Sequence, residues 1–230
     1  MYLGLHSGCI MNTNIVTDIR IAKAAGYDGV ELWIPKLKRY LDAGYNIEEL
    51  IPAFGSLRPT MLDCVMSIER EEPDFRRQLR KDFEELGALA QQLNCPAIQV
   101  IALDALKNYS WPEMRTKLAN SITELADVVA PFGIRLAIET VSFSPFHTLT
   151  QTLEVIDAID RDNIGLVVDT WHLWTGGTPW EDVEALDPGL IVCAHISDTN
   201  PKQEEQWSDD DRTALPGDGV LPLKEGIDAI

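Results

Sequence analysis

Apolar and polar positions along the chain alternate between two periods. Short apolar runs at residues 3–5, 29–33, 61–68, 97–103, 134–139, 164–169 and 190–195 read as buried strands. Between them the spacing turns helical. Phe75, Leu79, Phe83, Leu86, Ala90 and Leu93 recur at intervals of four and three, as do Met114, Leu118, Ile122, Leu125 and Val129. Ser110 with Glu113 predicts a capping box at the start of the second of these helices, and Gly133 lies just past its end. Thr148 with Gln151 predicts another box, before a helix running to about residue 160. Residues 223–230 start like a helix.

Strands that are almost wholly apolar and separated by helices predict a parallel sheet covered by helices. No GxGxxG follows the first strand, which counts against a dinucleotide-binding sheet, and no Pro-, Gly- or Ser-rich linker divides the chain. The expectation is an α/β fold: one (β/α)8 TIM-barrel domain over residues 1–230, shortened before strand eight. Seven strands leave two open edges, so the sequence is expected to be a truncated form of a longer protein; a partner chain supplying the strand is the alternative.

In such a barrel the chemistry lies at the C-terminal ends of the strands. Strand one ends near His6, strand two carries Glu31, strand five ends on Glu139, strand six on Asp169 and strand seven on His195, while strands three and four show no comparable polar tip. Glu139, Asp169 and His195 close three consecutive strands, so they are expected to face one point. Two carboxylates and an imidazole brought together there call for a cation. Mixed oxygen and nitrogen donors suit Mn²⁺, Zn²⁺, Co²⁺ or Mg²⁺. The plainer reading is that each tip is solvated or bonded to a loop. His172 follows Asp169 by three residues and reads as a fourth ligand, a substrate contact or a loop residue, with Trp171 and Trp174 as an apolar wall. Arg212 precedes Pro216-Gly217 in an acidic stretch. It reads either as part of a surface turn or as a bidentate hold on a substrate oxygen.

Charge and cysteines narrow the partners. With 19 basic and 37 acidic residues the net charge is −18, which repels phosphate backbones and argues against nucleic acid. Cys9, Cys64, Cys95 and Cys193 show no CxxC or zinc-knuckle spacing, which fits free thiols in a reducing compartment. The N-terminus lacks the pattern of a signal peptide, and no run approaches the roughly 20 apolar residues of a membrane span. A soluble cytoplasmic protein is expected, with no membrane partner; a homo-oligomer is left open.

Glu139 at a strand end, Gly165-Leu-Val-Val-Asp169-Thr-Trp-His172, Ala-His195-Ile-Ser-Asp198, and Asp-Arg212-x-x-x-Pro216-Gly217-x-Gly219 together resemble the xylose-isomerase-like barrels. Residues 161–170 look most like inosose isomerase and its relatives. The resemblance implies a sugar or keto-polyol isomerase or epimerase working by proton transfer next to a carbonyl. It implies that Glu139, Asp169 and His195 are three of four ligands of one divalent ion, that Glu139 also moves the proton, and that His172 and Arg212 contact substrate oxygens. His6 and Glu31 are weaker candidates for the wall of the substrate site. The fourth ligand, a second glutamate, belongs to strand eight. Alternatives within reach of the same motifs are a dehydroshikimate dehydratase, an apurinic-site endonuclease, disfavoured by the charge and by only four histidines, and a sugar-binding pseudoenzyme.

Overall fold

The structure, a computed structural model, describes residues 2–202 and 207–230. Its strands are β1 (Gly4–His6), β2 (Gly29–Trp33), β3 (Arg58–Met66), β4 (Ala97–Ile101), β5 (Arg135–Glu139), β6 (Ile164–Asp169) and β7 (Ile191–His195). They lie in one sheet in sequence order, β1 to β7. The helices are α1 (Ile15–Ala25), α2 (Ile34–Asp42), α3 (Ile47–Phe54), α4 (Pro73–Leu93), α5 (Trp111–Val129), α6 (Leu149–Asp157), α7 (Thr170–Thr175), α8 (Trp180–Glu184) and α9 (Leu223–Asp228). No helix among the described residues is long and apolar enough to cross a membrane.

All seven expected strands form. Pairing between β1 and β2, β2 and β3, and β6 and β7 is parallel. Register then decides which side chains are level. His6 is the partner of Glu31, and Asp169 is the partner of His195. On the predicted helix faces, Leu79, Phe83, Leu86, Ala90 and Leu93 of α4 and Met114, Leu118, Ile122, Leu125 and Val129 of α5 are buried. Phe75 is only half-buried, being in the first turn. The Thr148–Gln151 capping box is complete. Glu113 accepts from both the backbone N–H (2.8 Å) and the hydroxyl (2.6 Å) of Ser110. Gly133 takes the left-handed conformation, at φ 72°, that lets the chain leave the turn after α5.

The chain divides into two compact units. One comprises Met1–Val65, Glu72–Val100 and Leu125–Leu136; the other comprises Met66–Glu71, Ile101–Glu124 and Ala137–Ile230. In the first, Ile15, Ile19 and Ala22 of α1 and Val30 and Leu32 of β2 are buried, and so are Leu37 of α2 and Leu50 of α3. In the second, Leu166 and Val168 of β6 pack with Leu149, Leu173, Val183 and Leu186. Among the described residues no cysteine is in a disulfide: Cys95 is buried, Cys64 and Cys193 are half-buried and Cys9 is exposed.

Two expectations change here. The segment after Asp169 is a helical turn rather than a loop, because Asp169 caps it. Its Oδ1 accepts from the N–H groups of Trp171 (2.8 Å) and His172 (3.0 Å), satisfying donors a helix start leaves open. Trp171 is also fully buried, packed with Leu221 and Leu223, so it is core rather than a wall for a ligand.

Candidate metal centre

The second unit carries the main cluster. Glu139 ends β5, Asp169 ends β6 and His195 ends β7. Each offers a ligand atom, and the three atoms lie within 4.8 Å of one another. His195 Nδ1 stands 3.0 Å from Glu139 Oε1 and 3.8 Å from Asp169 Oδ2. Donors bound about 2.1 Å from an ion at tetrahedral or octahedral angles stand about 3.0–3.4 Å apart; the His195–Glu139 pair has that spacing, the His195–Asp169 pair at 3.8 Å is wider, and the donor types suit one divalent cation. Both carboxylates are buried, Glu139 at 4% exposure and Asp169 at 1%, so their charge has to be countered, and Arg212 supplies one positive charge, to Asp169.

Asp169 divides its work between its two oxygens. Oδ1 caps α7, and Oδ2 faces the cluster and accepts from Arg212 Nη1 at 3.0 Å. Burial opposes its charge. The fields of Arg212, His172 and His195 and the His172 N–H outweigh that and bring its pKa down to about 2.

His172 and Arg212 adjoin the cluster. The His172 Nδ1 accepts from the Ser142 N–H at 3.2 Å, which puts the proton of the neutral ring on Nε2. Burial is the first cause that keeps this imidazole below its usual pKa, and the Arg212 charge adds to it against the carboxylates. Nε2 meets Arg212 Nη2 directly, so two donors face each other. An oxygen between them would accept from both. The Arg212 guanidinium also pairs with Asp209 at 2.9 Å and lies over the Trp171 ring, 4.8 Å from its centroid. Burial works against its charge, yet Asp169, Asp209 and Glu139 hold its pKa above the ordinary value.

His6 and Glu31 belong to the first unit, where they meet a residue absent from the sequence reading. His6 Nε2 stands 3.2 Å from Asp63 Oδ2 and 3.5 Å from Glu31 Oε1. Strand three therefore does carry a buried acid: Asp63 is 6% exposed. The signal was a carboxylate inside the apolar run from Met61 to Cys64. His6 Nδ1 accepts from the Gly8 N–H at 2.9 Å. Burial disfavours charge on the ring, but the bonds to Asp63 and Cys9 and the fields of Glu31 and Asp63 push its pKa up to about 10. Charging the ring gives up the Gly8 bond, worth about 1 kcal/mol. Each carboxylate near 4 Å returns about 4 kcal/mol at an effective dielectric constant of 20, less where the ring meets solvent.

A parallel α/β sheet with acids and an imidazole at adjacent strand ends has its polar groups where barrel enzymes carry their sites. Comparison gives the family: residues 19–230 match the xylose isomerase-like TIM barrel, and the chain belongs to that family. It is 27% identical over 219 residues to inosose isomerase of Halalkalibacterium halodurans, covering 93% of this chain and 77% of that protein. It is 25% identical over 219 residues to 3-dehydroshikimate dehydratase of Bacillus anthracis, covering 92% and 77%. The crystal structure of an IolI protein with a bound zinc atom superposes with a TM-score of 0.92 at 24% identity, over all of this chain and 84% of that one, a likeness of fold. The protein is an enzyme of the sugar isomerase and epimerase type, acting on a small molecule.

Proposed function

We propose that the protein is a divalent-metal-dependent isomerase or epimerase of a keto-polyol or sugar, with a keto-inositol as the first substrate to test. The observation that carries this is the convergence of Glu139, Asp169 and His195 within 4.8 Å. These three would hold the ion, which supplies positive charge where an oxygen of the substrate becomes negative. Glu139 removes the proton from the carbon next to the carbonyl, producing an enediolate. Return of that proton by Glu139 to the neighbouring carbon would give isomerisation, and delivery of a proton by a second acid on the opposite face would give epimerisation. His172 Nε2–H and Arg212 donate to the oxygen on which charge develops, which resolves their donor-to-donor contact. Asp169 Oδ1 stays with α7 throughout, so that Oδ2 keeps a fixed direction.

The test is metal analysis of the purified protein, then incubation in D₂O with keto-inositols, ketohexoses and 3-dehydroshikimate. Deuterium uptake by a keto-inositol or ketose, abolished by a chelator and restored by one divalent ion, is the expected result. Water loss from 3-dehydroshikimate alone would replace this reading with a dehydratase. Exchange indifferent to chelation would remove the ion from it.

A further inference from the structure

We propose that Asp198 is a positioning residue for Arg212, fixing the loop that aims the guanidinium at the Asp169–His172 cluster. The inference rests on the reading of Arg212 as a substrate contact. Asp198 lies three residues past His195 and is 1% exposed. Its carboxylate accepts four backbone N–H groups: Oδ1 from Thr199 at 2.8 Å and Leu221 at 3.1 Å, Oδ2 from Gly217 and Gly219, each at 3.0 Å. Four donors fill the roughly four acceptor sites of an ionised carboxylate. Burial opposes the charge, but these N–H groups prevail and hold the carboxyl below its usual pKa.

The same two residues grip the chain on either side of Arg212. The Thr199 hydroxyl donates to the Asp211 carbonyl at 2.5 Å, and Asp198 forms an isolated antiparallel bridge with Ala214. Val220 N–H donates to the Thr199 carbonyl at 2.9 Å, closing the far end of the turn. Gly219 passes so close that an added Cβ would stand 2.2 Å from Asp198 Oδ1 and 2.4 Å from the Thr199 carbonyl. The hydrogen-bond partners of this buried anion, among the described residues, are backbone N–H groups; what it organises is the backbone on which Arg212 stands. The strand end that delivers His195 thereby also sets Arg212 over Trp171 and onto Asp169.

Asp198→Asn replaces one acceptor oxygen by an NH₂ that meets N–H donors, and Thr199→Val removes one hydroxyl while keeping the shape. The full chain is used, with melting and divalent-metal content checked for every variant. In ¹⁵N NMR, the Arg212 Nε–H signal, assigned by its absence in Arg212→Ala, is expected to be shielded from exchange by burial in the native protein. The expected result is loss of that protection in Asp198→Asn and a smaller loss in Thr199→Val. With a keto-inositol as probe, KM rises about tenfold or more in Asp198→Asn, with kcat changed less. Adding Asp198→Asn to Arg212→Ala costs nothing further. An Arg212 signal that stays protected in both variants overturns the proposal, as does a double variant whose losses multiply. A normal KM in Arg212→Ala overturns both this proposal and the substrate-contact reading, whereas a normal KM in Asp198→Asn alone overturns only the positioning.

Discussion

Each unit gathers one imidazole and two buried carboxylates at strand positions, and the two clusters differ in what the ring nitrogens are committed to. In the first unit, His6 Nδ1 accepts from Gly8 while Nε2 faces Asp63 and Glu31. The bonds and fields of these groups push the ring's pKa up to about 10, which favours its charged form. In the second, His195 Nδ1 faces Glu139 and Asp169, and Arg212 donates to Asp169 from the other side. Residue types alone would have made these two sites alike. In one the imidazole itself meets both carboxylates, and in the other a guanidinium meets one of them beside the imidazole. The fixed cations differ in the same way. Lys36, with a fully buried side chain, donates to Asp18 at 2.7 Å and to the carbonyls of Ser7 (3.0 Å) and Ile10 (2.8 Å), so it is spent on holding the loop after β1. Arg212 keeps a guanidinium edge on the cluster.

The sharpest way to break the comparison is a matched pair of substitutions. Glu139→Gln is expected to lower kcat about 10²–10⁴-fold and to weaken metal binding, while Glu31→Gln keeps the metal; stoichiometry by elemental analysis beside turnover checks both. Next in size is Lys36→Ala, which strands Asp18 in the core of the first unit. A loss of about 3–5 kcal/mol in denaturant unfolding is expected, with the Glu139–Asp169–His195 cluster of the second unit unaltered.

The His6 cluster gives a pH signature. Its folded pKa lies above the ordinary value of 6.5, at about 10, so the folded state binds the extra proton more tightly. The contribution to stability is fully present below about pH 6.5 and is lost as pH rises through 10. Melting scans from pH 6 to 10.5 should therefore show a fall in the native protein that is reduced in His6→Asn. Identical slopes would mean the ring is neutral and the Gly8 bond has won. The smallest effect is expected from Thr148→Ala, which removes half of the α6 capping box and should cost about 1 kcal/mol of stability, without change in metal binding.

Much of the candidate site was legible because it depends on strand ends. An apolar run that stops on Glu139, Asp169 or His195 has few other reasons to do so, and parallel register then makes Asp169 and His195 level. Asp63 was hidden because it interrupts a run rather than ending one. Ser142, which fixes the His172 tautomer, was hidden because a backbone N–H carries no sequence signal. Trp171 was misplaced because an indole beside a histidine reads the same whether it lines a site or fills a core; only its contact with Leu221 and Leu223 decides.

By itself the sequence determined the order of strands and helices, the cap of α6 and the acids and imidazole that close β5, β6 and β7, since these follow from local periodicity and residue type. The tertiary structure decided the rest. Which carboxylates are buried, which ring nitrogen is occupied and where Arg212 points all depend on atoms distant in the chain. Burial, hydrogen bonding and charge are properties of neighbours in space, and a linear pattern of hydrophobicity does not encode them.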